Sequence, residues 1–156
     1  MNKIAVIPGT FDPITLGHLD IISRSSRLFE ELIVAVANSP SKHPFFSLEK
    51  RLHMVQESVK DLKTVRVVPF SGMLIDFLKE NHASILVRGI RNNTDYDYEA
   101  QLTGMYRKFI PDLEMVMLQS DHNFGYISST LIREIIIHKG SVVGLVPDSV
   151  LTEISS

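Results

Sequence analysis

The sequence predicts a single α/β domain in which five parallel strands are covered by helices on both faces. Short runs rich in Val and Ile alternate along the chain with segments whose apolar residues recur every three or four positions, a pattern typical of strands followed by helices. Strand segments such as Ile33–Val36 are apolar at consecutive positions, as expected when both faces of a sheet are buried. The length of 156 residues fits one domain, residues 1–156. We therefore expect a doubly wound, Rossmann-like sheet.

Five segments have the β-branched, apolar composition of a buried strand. Each is followed by a turn or by polar residues, which sets its carboxyl end. The predicted strands are Lys3–Pro8, Glu31–Asn38, Thr64–Phe70, Ser84–Arg88 and Leu113–Gln119.

Helical spacing fills the intervals between these strands. Ser47 and Thr94 are predicted N-caps, because each is followed by acidic residues in the first turn. Two further helices are predicted after the fifth strand, over Ser128–His138 and from near Pro147. The apolar positions that define the first four helices are Leu19, Ile22, Leu28 and Phe29; Leu48, Leu52, Val55, Val59 and Leu62; Leu74, Phe77 and Leu78; and Tyr98, Leu102, Met105 and Phe109.

Composition excludes several classes of function. The chain has 16 Lys and Arg against 18 Asp and Glu and no basic run, which argues against nucleic acid as a partner. It has no cysteine, which removes disulfides and thiolate metal sites and fits a reducing compartment. The longest apolar run, Leu32–Ala37, is far too short to cross a membrane. We expect a cytoplasmic protein with no membrane partner.

The chemistry is expected beyond the carboxyl ends of the strands, where open parallel sheets bind their ligands. Cationic and hydroxyl side chains follow all five predicted strands, so an anionic ligand is the simplest expectation. The five strand exits are Pro8–His18, Ser39–Lys42, Phe70–Leu74, Arg88–Arg91 and Phe124–Thr130.

The usual glycine-rich phosphate motifs are missing, so a phosphate site must be built differently. At Thr15–His18 a helix start offers unpaired N–H groups, Gly17 leaves room for a phosphate, and His18 can donate a ring N–H. An ordinary capped helix start is an equally good interpretation of these four residues alone. Ser128–Thr130, followed by Arg133, repeats the pattern, although alone it fits a simple N-cap. Two helix starts of this kind at one edge of the sheet indicate a ligand with several phosphates.

Cations at the same edge strengthen this interpretation. Arg88 and Arg91 flank a glycine directly after a predicted buried strand, where a guanidinium can hold a phosphate with two hydrogen bonds. Lys42 lies in a loop near two phenylalanines. Taken singly, each fits a solvated surface residue, and Asp95, Asp97 and Glu99 fit charges that cap a helix. The remaining histidines have no metal-binding spacing, so no protein-built metal site is expected.

These residues carry a resemblance to a known family. Thr15-Leu16-Gly17-His18 resembles the T-x-G-H motif of the nucleotidyltransferase superfamily, and Ile127–Arg133 resembles its I-S-S-T-x-I-R signature. Over the full length, the chain is similar to the bacterial phosphopantetheine adenylyltransferase family, from Pro8–Pro13 through Ser39–Lys42 to Arg88–Arg91. Tyr106 stands where that family commonly has asparagine.

The resemblance implies adenylyl transfer from ATP to 4′-phosphopantetheine, giving dephospho-coenzyme A and pyrophosphate. It implies that His18 stabilises the transition state. It also implies Mg²⁺ with the ATP, a homohexamer and coenzyme A as a feedback ligand. The residues implied to bind phosphopantetheine are Thr10, Lys42, Leu74 and Arg88, and those implied to bind ATP are Thr10, Phe11, His18, Gly89, Ile90, Arg91, Glu99, Phe124, Gly125, Tyr126, Ile127, Ser128, Ser129 and Thr130.

Two other functions stay open from the residues. One is a different member of the superfamily, such as a cytidylyltransferase or a nicotinamide mononucleotide adenylyltransferase. The other is a nucleotide-binding module without catalysis, since the fold alone does not fix function. Lys42 and Arg88 argue against the second, because a nucleotide sensor needs no second anion clamp.

Overall fold

Strands and helices alternate along the chain in the order that the sequence predicts. The structure, a computed structural model, describes residues 3–156. A short 3₁₀ turn, Pro40–Lys42, follows the second strand. The strands are β1 (Ile4–Gly9), β2 (Glu31–Ala37), β3 (Val65–Phe70), β4 (Ile85–Ile90) and β5 (Glu114–Gln119), and the helices are α1 (Leu16–Ser25), α2 (Leu48–Val59), α3 (Leu74–Glu80), α4 (Asn93–Arg107), α5 (Ser129–Ile137) and α6 (Asp148–Ser155).

All five strands belong to one parallel sheet in the order β3-β2-β1-β4-β5. The chain runs outward from β1 to β3 and then returns to the other side of β1 at β4, so the winding direction reverses between these two strands. This reversal is the topological switch point at which such sheets bind ligands. The predicted fold class is confirmed.

Helices cover both faces of the sheet, and the core has two parts. The larger part includes Val34 and Val36 of β2 with α1, α2, α5 and α6, and the smaller part includes Ile33 and Ala35 of the same strand with α3. Alternate residues of β2 therefore face opposite halves of the core. This explains why Leu32–Val36 are apolar without a break and all fully buried.

The fourth strand is longer than the sequence predicts. It continues through Gly89 and Ile90, which pair with Leu118 and Gln119 of β5, so the strand ends two residues after its predicted end at Arg88. The next helix is capped by Asn92, whose side chain accepts a hydrogen bond from the Asp95 N–H at 2.9 Å. The prediction of Thr94 as this N-cap is wrong.

Helix α4 is the least buried of the long helices. Glu99 is its one buried residue, while Tyr98 and Met105 are 60 and 47 % exposed, and Phe109, predicted as part of this helix but lying just after its end, is 52 % exposed. Tyr98 and Met105 are seven residues apart and therefore lie on one helix face, and Phe109 follows in the turn after the helix. The chain therefore presents an apolar stripe, Tyr98 and Met105 of α4 with Phe109 after it, that its own core does not cover.

Within residues 3–156, no helix combines the length and the apolar character that a membrane crossing requires.

Candidate active site

A cavity of about 530 Å³ opens at the carboxyl ends of the strands, between β1 and β4. These two strands pair only at Ala5 with Ile85 and at Val6 with Leu86, whereas β1 pairs with β2 over six residues. Beyond that point β1 and β4 separate, and Pro8 brings no N–H to either ladder. The gap between the strands forms the base of the cavity.

Helix α1 begins at the cavity wall with Thr15 as its N-cap. The Thr15 hydroxyl accepts from the His18 N–H at 3.3 Å, and the Thr15 backbone N–H donates to Nδ1 of His18 at 3.0 Å. The two bonds form a capping box in which a histidine takes the place usually held by glutamate or glutamine. The predicted helix start is confirmed, and its capping also orients the imidazole.

The capping box fixes the tautomer of His18. Because Nδ1 accepts the hydrogen bond from Thr15, the proton of the neutral ring lies on Nε2. Burial, and to a smaller extent the positive charge of Arg91, lowers the pKa of His18 from 6.5 to about 4. At neutral pH His18 lines the cavity as an uncharged N–H donor.

Phe11 supports the His18 ring from the side. Its backbone is left-handed, with φ at 49°, and its ring packs edge-on against His18 with 5.0 Å between the centroids. A Cβ built at Gly9 would lie 2.9 Å from the same ring, so glycine there makes room for it. The loop after β1 is therefore shaped around an aromatic that is 3 % exposed and contacts the imidazole.

Arg88 reaches the cavity from β4 and is held by α4. Its Nε and Nη2 both approach Oε1 of Glu99, at 2.9 and 2.8 Å. Glu99 is 6 % exposed, and its second oxygen has no hydrogen-bond partner among residues 3–156. A buried carboxylate oxygen without a partner costs free energy, so a ligand that donates a hydrogen bond to Oε2 of Glu99 would be favoured in this cavity.

Two more cations border the cavity. Arg91 pairs with Asp95 in the first turn of α4, through its backbone N–H at 2.9 Å and its Nε at 3.3 Å. Lys42 approaches from the exposed 3₁₀ turn after β2. Together with Arg88 these cations face two carboxylates in the lining, Asp95 and Glu99, so the charged side chains at the cavity carry a net positive charge.

The second predicted anion site is the start of α5. Ser128 is the N-cap and accepts from the Leu131 N–H at 3.1 Å, while Ser129 donates to the Pro13 carbonyl at 2.8 Å. Arg133 donates to the Asp12 carbonyl at 2.8 Å and to the Thr130 hydroxyl at 3.2 Å. Ser128 and Ser129 line the cavity, whereas Arg133 joins α5 to the loop after β1.

The cavity lining contains most of the predicted site residues. Four predicted residues, Ile90, Gly125, Tyr126 and Thr130, are outside the lining, and Tyr126 is 65 % exposed. Tyr106 is outside it too, although its phenol lies near Arg88, and burial raises the pKa of that phenol. The predicted residues that do line it are Thr10, Phe11, His18, Lys42, Leu74, Arg88, Gly89, Arg91, Glu99, Phe124, Ile127, Ser128 and Ser129.

Several residues that build this site are not among the site residues predicted from the sequence. Ser120 and Tyr98 line the cavity, at the end of β5 and on α4. Arg51 and Asp12 lie behind it and bond to the backbone of both adjoining loops. Their partners are up to 41 residues away in sequence, so no local motif marks them. The cluster of alternating Asp and Tyr before Glu99 was the one signal for Tyr98.

Over residues 3–156, no group of three or more histidines, aspartates and glutamates is arranged to hold a metal ion.

Known proteins resemble this chain over most of its length. The cytidylyltransferase-like family matches residues 6–135. A phosphopantetheine adenylyltransferase of Tolumonas auensis is 47 % identical over 156 residues, covering all of this chain and 95 % of its own. Enzymes of the same name from Aliivibrio fischeri and Mannheimia succiniciproducens are 48 and 45 % identical, covering 91 and 97 % of this chain and 89 and 96 % of their own.

Solved structures agree on the fold. A Vibrio parahaemolyticus protein assigned as a nicotinate-nucleotide adenylyltransferase superposes with a TM-score of 0.70 at 19 % identity, over the full length of both chains. A lipopolysaccharide core biosynthesis protein of Thermoplasma volcanium gives a TM-score of 0.55 at 24 % identity, over 76 % of this chain and 96 % of its own. At these identities the likeness supports the architecture alone. The sequence matches carry the assignment further: the chain belongs to the cytidylyltransferase-like family and, within it, to the phosphopantetheine adenylyltransferases.

Proposed function

We propose that the protein transfers the adenylyl group of ATP to the phosphate of 4′-phosphopantetheine, releasing pyrophosphate and forming dephospho-coenzyme A. The observation that carries this proposal is one cavity lined by His18, Lys42 and Arg88, in a chain that is 47 % identical over its whole length to an enzyme of that name. A cavity with these cations suits two anionic reactants better than a single nucleotide.

The reaction needs no general base. The second pKa of a phosphate monoester is about 6, so the acceptor is already largely a dianion at neutral pH. One of its oxygens attacks the α-phosphorus of ATP and forms the new P–O bond. The bond from the α-phosphorus to the bridging oxygen breaks, and pyrophosphate leaves with the electron pair. The barrier consists of repulsion between the anions and of the entropy of aligning them.

His18 is assigned to the α-phosphate. Its Nε2–H can donate to an oxygen on which charge develops, and a single well-aimed donor of this kind contributes about 3–4 kcal/mol. Because burial and Arg91 lower the pKa of His18 to about 4, the free enzyme offers this donor in its neutral form throughout the physiological range. An uncharged ring also keeps its Nδ1 bond to Thr15.

Lys42 and Arg88 are assigned to hold the phosphate of phosphopantetheine, with Thr10 beside it and Leu74 along the pantetheine arm. Correct positioning of reactants can lower a barrier by about 7–11 kcal/mol, more than a single donor contributes. A phosphate at this position would compete with Glu99 for the Arg88 guanidinium. Since only Nε and Nη2 of Arg88 are bonded to Glu99, the Nη1 group is best suited to donate the first hydrogen bond to the phosphate.

The nucleotide is assigned to the opposite part of the cavity. Gly89, Arg91 and Glu99 would form one wall and Phe124, Ile127, Ser128 and Ser129 the other, with Phe11 nearest the reacting phosphate. The predicted contacts of Ile90, Gly125, Tyr126 and Thr130 with the nucleotide would lie outside this lining. Ser128 and Ser129 at the start of α5 add N–H groups and hydroxyls suited to a polyphosphate.

Magnesium fits this site only as a companion of ATP. The carboxylates in the lining, Asp95 and Glu99, are both hydrogen-bonded to arginines, so the triphosphate and water would have to supply most of the ligands. Bound in that way, the ion would screen charge on the phosphates.

We also propose a cytoplasmic location, a homohexamer and coenzyme A as a feedback ligand. The absence of cysteine fits a reducing compartment. The apolar stripe of Tyr98, Met105 and Phe109 supports self-association, since exposed apolar surface of this kind marks contact sites. Coenzyme A carries the pantetheine arm and phosphates of the proposed substrates, so the same cavity could receive it.

The proposed activity is tested by pyrophosphate release. We expect turnover with ATP and 4′-phosphopantetheine, and little or none when CTP replaces ATP or when nicotinamide mononucleotide or unphosphorylated pantetheine replaces the acceptor. A preference for CTP or for the mononucleotide would assign the protein to another branch of the superfamily. ATP binding without turnover of any acceptor would favour a nucleotide-binding module.

A further inference from the structure

We infer that Arg51, a buried residue outside the cavity, is a positioning residue that holds the two substrate loops in register with each other. The inference rests on the proposed function and extends it to the residue's role in turnover. Arg51 lies on α2 and is 1 % exposed, and the cavity lining does not include it. It would act through the backbone of the loops that carry Thr10 and Lys42.

The guanidinium donates to four backbone carbonyls in three chain segments. Nη1 donates to Thr10 at 2.8 Å and to Ala37 at 2.7 Å, and Nη2 donates to Asn38 at 3.0 Å. Nε donates to Phe46 at 3.0 Å, at the entrance to α2. A planar, five-donor group is suited to this arrangement, whereas a lysine ammonium has three donors on one atom.

Asp12 joins the same two loops from the other side. Its carboxylate oxygens accept from the Phe45 and Phe46 N–H groups at 2.7 and 2.8 Å. The carboxylate is 5 % exposed and acts on Arg51 through its charge, so the buried cation and anion lie in one network. Together Arg51 and Asp12 tie residues 10–12 to residues 37–46.

Residues 10–12 and 37–46 contain backbone conformations that need support from the surrounding contacts. Phe11, Ser39 and His43 all have left-handed backbone angles, with φ between 46 and 49°. Each costs conformational free energy, which the surrounding contacts must offset. The 3₁₀ turn with Lys42 lies between two of them, and the bonds of Arg51 hold the chain on both sides of that turn. A change at Arg51 therefore alters the position of Lys42 relative to Thr10 and His18.

The residues assigned to ATP on β4 and α5 are not held by Arg51 itself, although Ser129 and Arg133 of α5 bond to the Pro13 and Asp12 carbonyls. Gly89 and Arg91 are carried by β4 and its exit, and Ser128 and Ser129 by α5. None of these residues bonds to Arg51 in the part of the chain that the structure describes. A general loss of folding would impair both substrates, whereas a displaced Lys42 loop would impair phosphopantetheine more than ATP.

The test is Arg51→Lys, assayed at a temperature at which the variant is fully folded. We expect kcat/KM for 4′-phosphopantetheine to fall at least tenfold, while the Kd of ATP measured by calorimetry changes less than threefold. In Arg51→Ala, added guanidinium ion at millimolar concentration should restore part of the lost rate. Met54→Ala is the matched control: Met54 is fully buried on the same helix, and its variant should show neither the selective loss nor the rescue.

The inference is overturned if folded Arg51→Lys keeps kcat/KM for phosphopantetheine within twofold of wild type, or if it loses ATP affinity in the same proportion. Asp12→Asn tests the network without removing the guanidinium. If Arg51→Lys does not fold, Asp12→Asn decides: a selective loss supports the inference and unchanged kinetics overturns it. Wild-type protein without turnover would reject the proposed function instead, so the two failures are distinguishable.

Discussion

The chemistry of His18 depends on which of its nitrogens faces the reactants. Thr15 occupies Nδ1 with its backbone N–H at 3.0 Å, and Phe11 packs against the ring edge-on. The imidazole is therefore fixed in direction and in tautomer before any substrate binds. In the proposed reaction a preorganised donor of this kind would favour the transition state, because it would not have to reorient as charge develops.

Replacing that donor tests its assignment. We expect His18→Ala to lower kcat by about a hundredfold or more, because one donor to the developing charge is lost. The Kd of ATP, measured by calorimetry, should change much less. If ATP affinity were destroyed while turnover of the saturated variant stayed near normal, His18 would be a binding residue and its proposed role would be wrong.

The same histidine makes stability depend on pH. Its pKa is lowered from 6.5 to about 4 in the folded chain by burial and by Arg91, so the unfolded chain takes up a proton in that interval while the folded chain does not. The contribution of the neutral imidazole to the free energy of unfolding is therefore fully present above pH 6.5 and is lost as the pH falls towards 4. From pH 7 to pH 5 the wild type should lose about 2 kcal/mol more unfolding free energy than His18→Gln, measured in urea. Equal losses in both proteins would contradict the lowered pKa.

At the scale of elements, the start of α1 combines folding with chemistry. Thr15→Val removes the hydroxyl that accepts from the His18 N–H, so the unfolding free energy should fall by about 1 kcal/mol. Turnover should fall less than in His18→Ala, because the backbone N–H of residue 15 still holds Nδ1. Thr15→Ser keeps the hydroxyl and should restore both quantities. Urea unfolding and pyrophosphate release measure them, and a serine variant as impaired as the valine one would exclude capping as the cause.

The elements themselves could largely be predicted because their signals are local. Apolar runs and side-chain capping by Ser47 and Ser128 depend on residues within one turn of the chain, and both caps are found as predicted. The end of β4 could not be predicted, because Gly89 and Ile90 are strand residues only through pairing with β5. The cap of α4 fell on Asn92 although Thr94 fits the same local rule. Asn92 and Thr94, two positions apart, both have capping side chains, so the preceding loop decides which of them caps the helix.

At the scale of the whole molecule, the parallel sheet brings together site residues that are far apart in the sequence. His18, Lys42 and Arg88 could be predicted to share a site because parallel strands end at one edge, and all three line one cavity. The shape of the cavity could not be predicted, because it depends on β1 and β4 separating after two paired residues. The support behind it, from Arg51 and Asp12, arises from contacts between residues 13 to 41 positions apart.

Assembly is the remaining property at this scale, and the stripe on α4 gives a way to test it. Tyr98 and Met105 lie on one face of α4 and Phe109 just after its end, and all three are about half exposed, which leaves apolar surface in contact with water. We expect light scattering to give a mass of several chains for the wild type. Met105→Glu should shift that mass towards one chain, because a carboxylate buried in an apolar contact is strongly unfavourable. Leu28→Glu, at a side chain 60 % exposed outside the stripe, is the matched control and should leave the mass unchanged. A wild-type protein with the mass of one chain would contradict the proposed hexamer, whereas an assembly unaffected by Met105→Glu would move its interface away from α4.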